Sequence, residues 1–374
     1  MKNDRDFFHT ILGSDCSQKI DKLIIVTHLV PGSDIFLLSV NEKLPIAVVI
    51  PKPNSIDKDI RDKVNKYIPI LDYTRQKIKD NPKEFLEKLS SYIGNEKFAI
   101  IDTGGYFSHV MYDLQLFFGS NLIGIVEDTE NGHQKYEAAL STNGYNYNSF
   151  AYPVISVARS ALKNPEDYLV GQAIVFSAEA LLRDLGQIIT GKRAIVFGYG
   201  KIGSSIAKHL YSKGVRVDVY DSCPVRQVLA LAHGYHTGDK NYLLNSADLV
   251  FCATGNQSLE VSNLCNIKRN AFVFMATSID DEIENHLWVI NQSTPHIHEN
   301  VSQVNIYDTQ FYLCNNGNSA NFMHGGVIGP FIKLVQAELI FALGQLSTSP
   351  KDRIYQLGDK SKKFIADLWV GLFA

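Results

Sequence analysis

The sequence predicts an α/β protein built on parallel strands, and three observations carry that prediction. Short apolar runs bounded by polar turns recur along the chain, segments of helical period separate them, and one strand, glycine turn, helix and strand follow in unbroken order. A chain of 374 residues holds two domains at roughly 100–200 residues each. With 45% hydrophobic and 20% charged residues it reads as a packed, soluble protein. A net charge of -3 offers no basic field, so no nucleic-acid partner is expected. The start, Met1-Lys2-Asn3-Asp4, has no apolar core behind it and does not read as a secretory signal. The apolar stretch Gly325–Leu346 is interrupted by Lys333, Gln336 and Glu338, which predicts a buried helix and no membrane span. Five cysteines (16, 223, 252, 265 and 314) lack Cys-x-x-Cys spacing; no metal site is read, and a reduced, cytoplasmic setting fits.

In the first part of the chain, Leu23–Thr27, Ile46–Ile50 and Phe98–Asp102 read as buried strands, with a helix over Pro82–Tyr92. A helical stretch runs from Tyr168 to Thr190, with Asn164 as its N-cap and Pro165 behind it. Strand Arg193–Phe197, helix Ile202–Lys213, strand Arg216–Tyr220, helix Val225–His233 and strands Asp248–Cys252 and Ala271–Ala276 follow. Between the first strand and helix, Gly198-Tyr199-Gly200-Lys201-Ile202-Gly203 is G-x-G-x-x-G. Gly198 permits the tight turn, Gly200 lets backbone approach a pyrophosphate, and Gly203 allows close helix–strand packing. The helix N-terminus then presents free N–H groups to phosphates. Asp221, 18 residues past Gly203, is placed to accept from the adenosine ribose diol and to repel a 2′-phosphate, which favours NAD over NADP. A second turn, Thr254-Gly255-Asn256, ends the next strand, where the cofactor crevice is expected. The fold class is therefore an NAD-binding Rossmann domain inserted in a second α/β substrate domain. The expected divisions are residues 1–165 for the first part of the substrate domain, 166–330 for the NAD domain with its leading helix, and 331–374 for C-terminal helices returning to the substrate domain.

With these pieces placed, the chain resembles the S-adenosylhomocysteine hydrolase family over most of its length. The stretch Gly191–Gly234 carries the closest match, with proline just after the ribose acid. Val126–His133 (VEDTENGH) looks like the family's Glu-Glu-Thr-Thr-Thr-Gly segment, Ile101–Gly105 (IDTGG) like its Asp-Asp-Gly-Gly turn, and Lys163–Gly171 like its Lys-x-x-x-Asp-Asn helix start. Asn315–Phe322 is similar to a Gly-x-x-x-Asn segment before the return helix. The resemblance implies an enzyme of one-carbon metabolism that oxidises a ribose 3′-hydroxyl with bound NAD, eliminates a thiol, adds water and reduces the ketone again. It implies Lys163 as base at the 3′-hydroxyl with Asp167 as partner, and Asp128 on the ribose hydroxyls. His28 would be the acid/base near the leaving group, and Asp102 would stand in for the second aspartate of the turn, which is Thr103 here. Thr129, Asn131, Ala276 and Asn321 would lie on the nicotinamide side. It further implies a homodimer or other homo-oligomer. Read from the residues alone, Asp167 also fits a helix-capping position, Lys163 a solvated charge and His28 a turn histidine.

The chain departs from the family pattern at several points. His28-Leu29-Val30-Pro31-Gly32 stands where the family has His-Met-Thr-x-Glu, so both polar contacts to adenine are missing. Thr277-Ser278 replaces Gly-His, Ile328 replaces a late histidine, with His324 a shifted substitute, and the sequence ends in DLWVGLFA where the family has a lysine- and tyrosine-bearing tail. The expected activity is therefore hydrolase or lyase chemistry by transient oxidation of a small, nucleoside-like substrate. Two alternatives stand beside it: an NAD-dependent dehydrogenase or epimerase of another hydroxylated compound, and a catalytically weak NAD(H)-binding sensor or partner protein.

Overall fold

Two units organise the chain in the computed structural model, which describes residues 2–15, 20–142, 152–295 and 298–374. Unit 1 comprises Met1–Lys163 and Gly329–Ala374, and unit 2 comprises Asn164–Ile328.

In unit 1, strands β1 (Lys22–Leu29), β2 (Ile46–Ile56), β3 (Phe98–Asp102), β4 (Leu122–Glu127) and β5 (Val154–Ser156) form a parallel sheet ordered β2-β1-β3-β4-β5. Their apolar residues do not alternate with polar ones because helices cover both faces. On one face Lys2–Asp15, Ser33–Asn41, Ile332–Leu343 and Asp359–Phe373 bury Phe7, Phe36, Leu339 and Trp369. On the other, Pro82–Ile93 and Met111–Phe118 bury Phe85, Leu89 and Leu114. At about 1.5–3 kcal/mol for each fully buried large side chain, these two clusters dominate the stability of the unit. The strand order reverses direction between β1 and β3, and ligands of open α/β sheets bind beyond the strand ends at such a point. His28, expected in a loop, lies inside β1, because pairing with β2 continues from Thr27↔Pro51 to Leu29↔Ile56 across an irregularity.

Unit 2 opens with the helix Asn164–Asp184. It begins at Asn164 itself, after a 3-10 turn over Ala161–Lys163, so Asn164 is a helical residue and not the expected cap. It stops well before Thr190, where Gly186 turns the chain at φ +71. Five parallel strands follow: β6 (Arg193–Phe197), β7 (Arg216–Tyr220), β8 (His236–Thr237), β9 (Leu249–Cys252) and β10 (Phe272–Met275). They run in the order β8-β7-β6-β9-β10, with the reversal between β6 and β9 that marks a dinucleotide crevice. The sheet continues through β13 (Thr309–Cys314), parallel to β10, and then antiparallel β12 (Val301–Ile306) and β11 (Ser293–Pro295). This extension is not visible in sequence, since the β12–β13 hairpin turns through Tyr307 at φ +51 and has no Asn-Gly or Asp-Gly at its corner. Among the described residues no helix is long and apolar enough to cross a membrane. Cys223, Cys252, Cys265 and Cys314 are free thiols, and Cys16 lies outside the described residues.

Candidate functional site

In unit 2 each of the three glycines of the first turn has its own physical requirement. Gly198 sits at φ +88, and a Cβ there would lie 2.7 Å from the Ala253 carbonyl oxygen. A Cβ on Gly203 would lie 1.8 Å from the Gly198 carbonyl oxygen, so only glycine lets the helix Lys201–Ser212 approach β6 this closely. A Cβ on Gly200 would meet nothing nearer than Arg226 Nη1 at 3.8 Å, which leaves open room beside the backbone. Gly200 caps the helix with no side-chain hydrogen bond, so the first-turn N–H groups keep the anion-binding character of a helix N-terminus. Ile202 packs partly into the core of the unit, and Lys201 lies 3.6 Å from buried Asp167. These features fit a dinucleotide pyrophosphate.

Asp221 is buried and braces the turn from below: it accepts from Tyr199 N at 2.7 Å and from Cys223 N at 2.8 Å, with Arg226 Nη1 3.7 Å away. At the second turn the backbone donors differ from expectation. The amides of Thr254 and Gly255 donate to Glu282 at 2.9 and 2.8 Å, and the Thr254 hydroxyl donates to it at 2.7 Å. They hold a buried carboxylate, where a cofactor contact was expected of them; Asn256, exposed, donates its amide to Thr254 Oγ1. Burial pushes the Glu282 carboxyl up, against the pull of these donors. Ala276 and Asn321 are both buried; Ser319 Oγ lies 2.7 Å from the Ala276 carbonyl and 2.5 Å from Asn321 Oδ1.

Unit 1 gathers the other candidates at the carboxyl ends of its strands. Lys163 is buried and donates from Nζ to Asp128 Oδ1 at 2.8 Å. Asp128 follows β4 directly, and its N–H bonds the Asp102 carbonyl at 2.9 Å. His28 bonds through Nδ1 with the Ser55 hydroxyl. Burial first, then Lys52 and Lys163, hold the imidazole well below its ordinary pKa, so it is neutral near pH 7. Asp102 does not stand ready for substrate. It is wholly buried, with Tyr106 N on one oxygen at 3.1 Å and Phe107 N at 3.1 Å and the Tyr136 hydroxyl at 2.6 Å on the other. It clamps the turn after β3.

Thr129 and Asn131, expected near nicotinamide, are engaged within unit 1. The Thr129 hydroxyl donates to Glu127 at 2.7 Å and accepts from Gly132 N, which secures the start of the helix Glu130–Thr142. Asn131 Oδ1 accepts from Arg75 and Lys135. Sequence reasoning passed over Glu127, which is wholly buried and accepts from Gly104 N, Gly105 N and Thr129 N at 3.0, 3.1 and 2.7 Å. Burial, then neighbouring Asp102, push its carboxyl up to about 8. The available signal was a carboxylate closing an apolar strand beside a Gly-Gly turn whose amides need acceptors.

Residues 174–322 match the model of the family described as S-adenosyl-L-homocysteine hydrolase, NAD binding domain. The chain is 25% identical over 247 residues to adenosylhomocysteinase of Sulfolobus acidocaldarius, covering 65% of this chain and 58% of that protein. It is 28% identical over 202 residues to adenosylhomocysteinase of Thermotoga maritima, covering 53% and 48%. The chain thus spans about half the length of the curated relatives it matches. Among solved structures, apo D-lactate dehydrogenase from Escherichia coli matches with a TM-score of 0.45 at 15% identity, over 87% of this chain and 97% of that one. Unit 2 is an NAD-binding domain, and the chain is similar to S-adenosylhomocysteine hydrolases.

Proposed function

We propose that the protein is an NAD-dependent enzyme that transiently oxidises a hydroxyl of a small cis-diol compound, followed by elimination or hydration at the neighbouring carbon. The observation that carries this reading is the pair of buried Lys163 and half-buried Asp128 at 2.8 Å, at the end of a parallel sheet. Bound NAD supplies reversible hydride acceptance, and Gly198, Gly200, Lys201, Ile202, Gly203 and Asp221 would hold it. Lys163 Nζ takes the hydroxyl proton, and Asp128 orients that ammonium while accepting from the adjacent hydroxyl. Asp167 steadies Lys201 beside the glycine turn. His28, held neutral beside Ser55, would accept a proton from water or return one to a leaving group.

The test is cofactor reduction by the full chain when nucleosides and other cis-diol compounds are added one at a time. One equivalent of NADH formed on the enzyme and then lost, without accumulation in solution, is the expected result. Continuous release of NADH would favour the dehydrogenase alternative. No reduction with any cis-diol would leave the NAD-binding sensor.

Asp221 also predicts the cofactor ratio. Calorimetric titration is expected to show tighter binding of NAD than of NADP, and tighter NADP binding would contradict the assignment. Asp221→Ala is expected to weaken NAD by about 1–3 kcal/mol, because it removes charge-assisted bonds and loosens the Tyr199 amide.

A further inference from the structure

Arg226 has no role in the cofactor binding assigned above, yet its position in unit 2 is specific. It lies in the first turn of the helix Pro224–Ala232, which follows β7 and Asp221. Two bonds seat that helix on the cofactor turn. Gln227 Nε2 donates to the Asp221 carbonyl at 2.6 Å, and the Tyr199 hydroxyl pairs with His233 Nδ1 at 2.8 Å. Arg226 Nη1 then lies 3.7 Å from Asp221 Oδ2 and 3.8 Å from where a Cβ on Gly200 would be. The guanidinium therefore stands between the ribose acid and the pyrophosphate turn.

The two charges at this corner are held differently. Asp221 is 5% exposed, and its oxygens accept from backbone, Oδ2 from Tyr199 N and Oδ1 from Cys223 N. The Arg226 side chain is 52% exposed. Among the described residues it makes no side-chain hydrogen bond and has no carboxylate within 4.0 Å other than Asp221. An ion pair this long and this exposed holds a guanidinium only weakly. Its N–H donors stay available in a planar fork, the geometry that matches a phosphate. The first turn of the helix holds no acid, and Ser222 adds a hydroxyl on the same exposed turn. An acid alone at the end of this strand disfavours a 2′-phosphate, whereas an arginine near it accommodates one.

We propose that Arg226 is a specificity-determining residue of the cofactor site that receives a phosphate on the 2′-hydroxyl of the adenosine ribose. The NAD domain then also takes NADP(H), with Asp221 keeping NAD the tighter ligand. This rests on the ribose lying at Asp221 and is independent of the oxidation chemistry proposed above.

The experiment titrates the full chain with NAD and with NADP, which differ only in the 2′-phosphate. Wild type is expected to bind NADP within about tenfold of NAD. Arg226→Ala is expected to lower the ratio of NADP to NAD affinity about tenfold or more. Arg226→Lys keeps a point charge without the fork and is expected to lower it by a smaller factor. Reading a ratio separates this role from an arginine that grips the pyrophosphate or packs on adenine, since either would move both ligands together. The phosphorus resonance of bound NADP gives a second readout. Arg226 is expected to lower the second pKa of the 2′-phosphate, and Arg226→Ala to return it toward that of free NADP. A wild-type penalty above about tenfold for NADP, or an unchanged affinity ratio in Arg226→Ala, would each overturn the proposal. A ratio that falls in Arg226→Ala, with no cis-diol oxidised by wild type, would uphold the Arg226 site and remove the proposed function. Cis-diol oxidation with an unchanged ratio would do the reverse.

Discussion

Thiol release from S-adenosylhomocysteine at saturating NAD is expected to fall about 10⁴-fold or more below the usual enzymatic median of about 10 s⁻¹. A site built to pair a polar edge discriminates by that factor when the pairing is lost, since the buried groups are left unmatched. Here the loss is on the protein side: by the resemblance, Val30 and Gly32 stand where polar contacts to adenine would be. The local fold shows why a carboxylate does not simply move back in. Leu29 is fully buried, Val30 accepts from Ser33 N at 3.0 Å, and Gly32 at φ +95 starts the helix Ser33–Asn41. A glutamate at position 32 would be strained in that conformation. Turnover of S-adenosylhomocysteine near the median would overturn this view and align the chain's substrate choice with that of the adenosylhomocysteinases it is similar to.

Lys163→Met is expected to slow cofactor reduction by an identified substrate by about 10²–10⁴-fold, the usual contribution of a positioned acid or base. Asp128→Asn is expected to act in the same direction more weakly, because an amide keeps a hydrogen-bonding group beside the Lys163 ammonium while losing the charge. Both side chains are largely buried, at 8% and 17% exposure, so Lys163→Met also strands a carboxylate and should destabilise the fold by about 1–3 kcal/mol. Rates are therefore compared well below the melting temperature, with NAD affinity as a second readout. Single-turnover kinetics with unchanged NAD binding and a collapsed reduction rate is the expected pattern. Wild-type rates in both variants would show that the chemistry lies elsewhere and leave only the NAD domain.

The NAD turn could be read from sequence because its determinants are local. Strand, glycines, helix and the acid at Asp221 lie within one unit, and each glycine answers a contact made a few residues away or across one neighbouring strand. The buried strands of unit 1 were legible for the same reason, since continuous apolar runs need no partner to be recognised. His28 was misplaced because its strand is prolonged by pairing with β2, a contact between residues 24 to 27 positions apart. The acids that hold the turns were missed on the same physical ground. Glu127 meets the Gly104 and Gly105 amides across 23 and 22 positions, and Glu282 meets Thr254 and Gly255 across 28 and 27. Nothing in a local pattern says which carboxylate a buried amide will find, although every such amide must find an acceptor. The sequence by itself determined the α/β class and the cofactor turn, because spacing along the chain sets them. Only the tertiary structure decided that Asp102 is a clamp and that Lys163 lies on Asp128, because strand order brings those groups together and chain order does not.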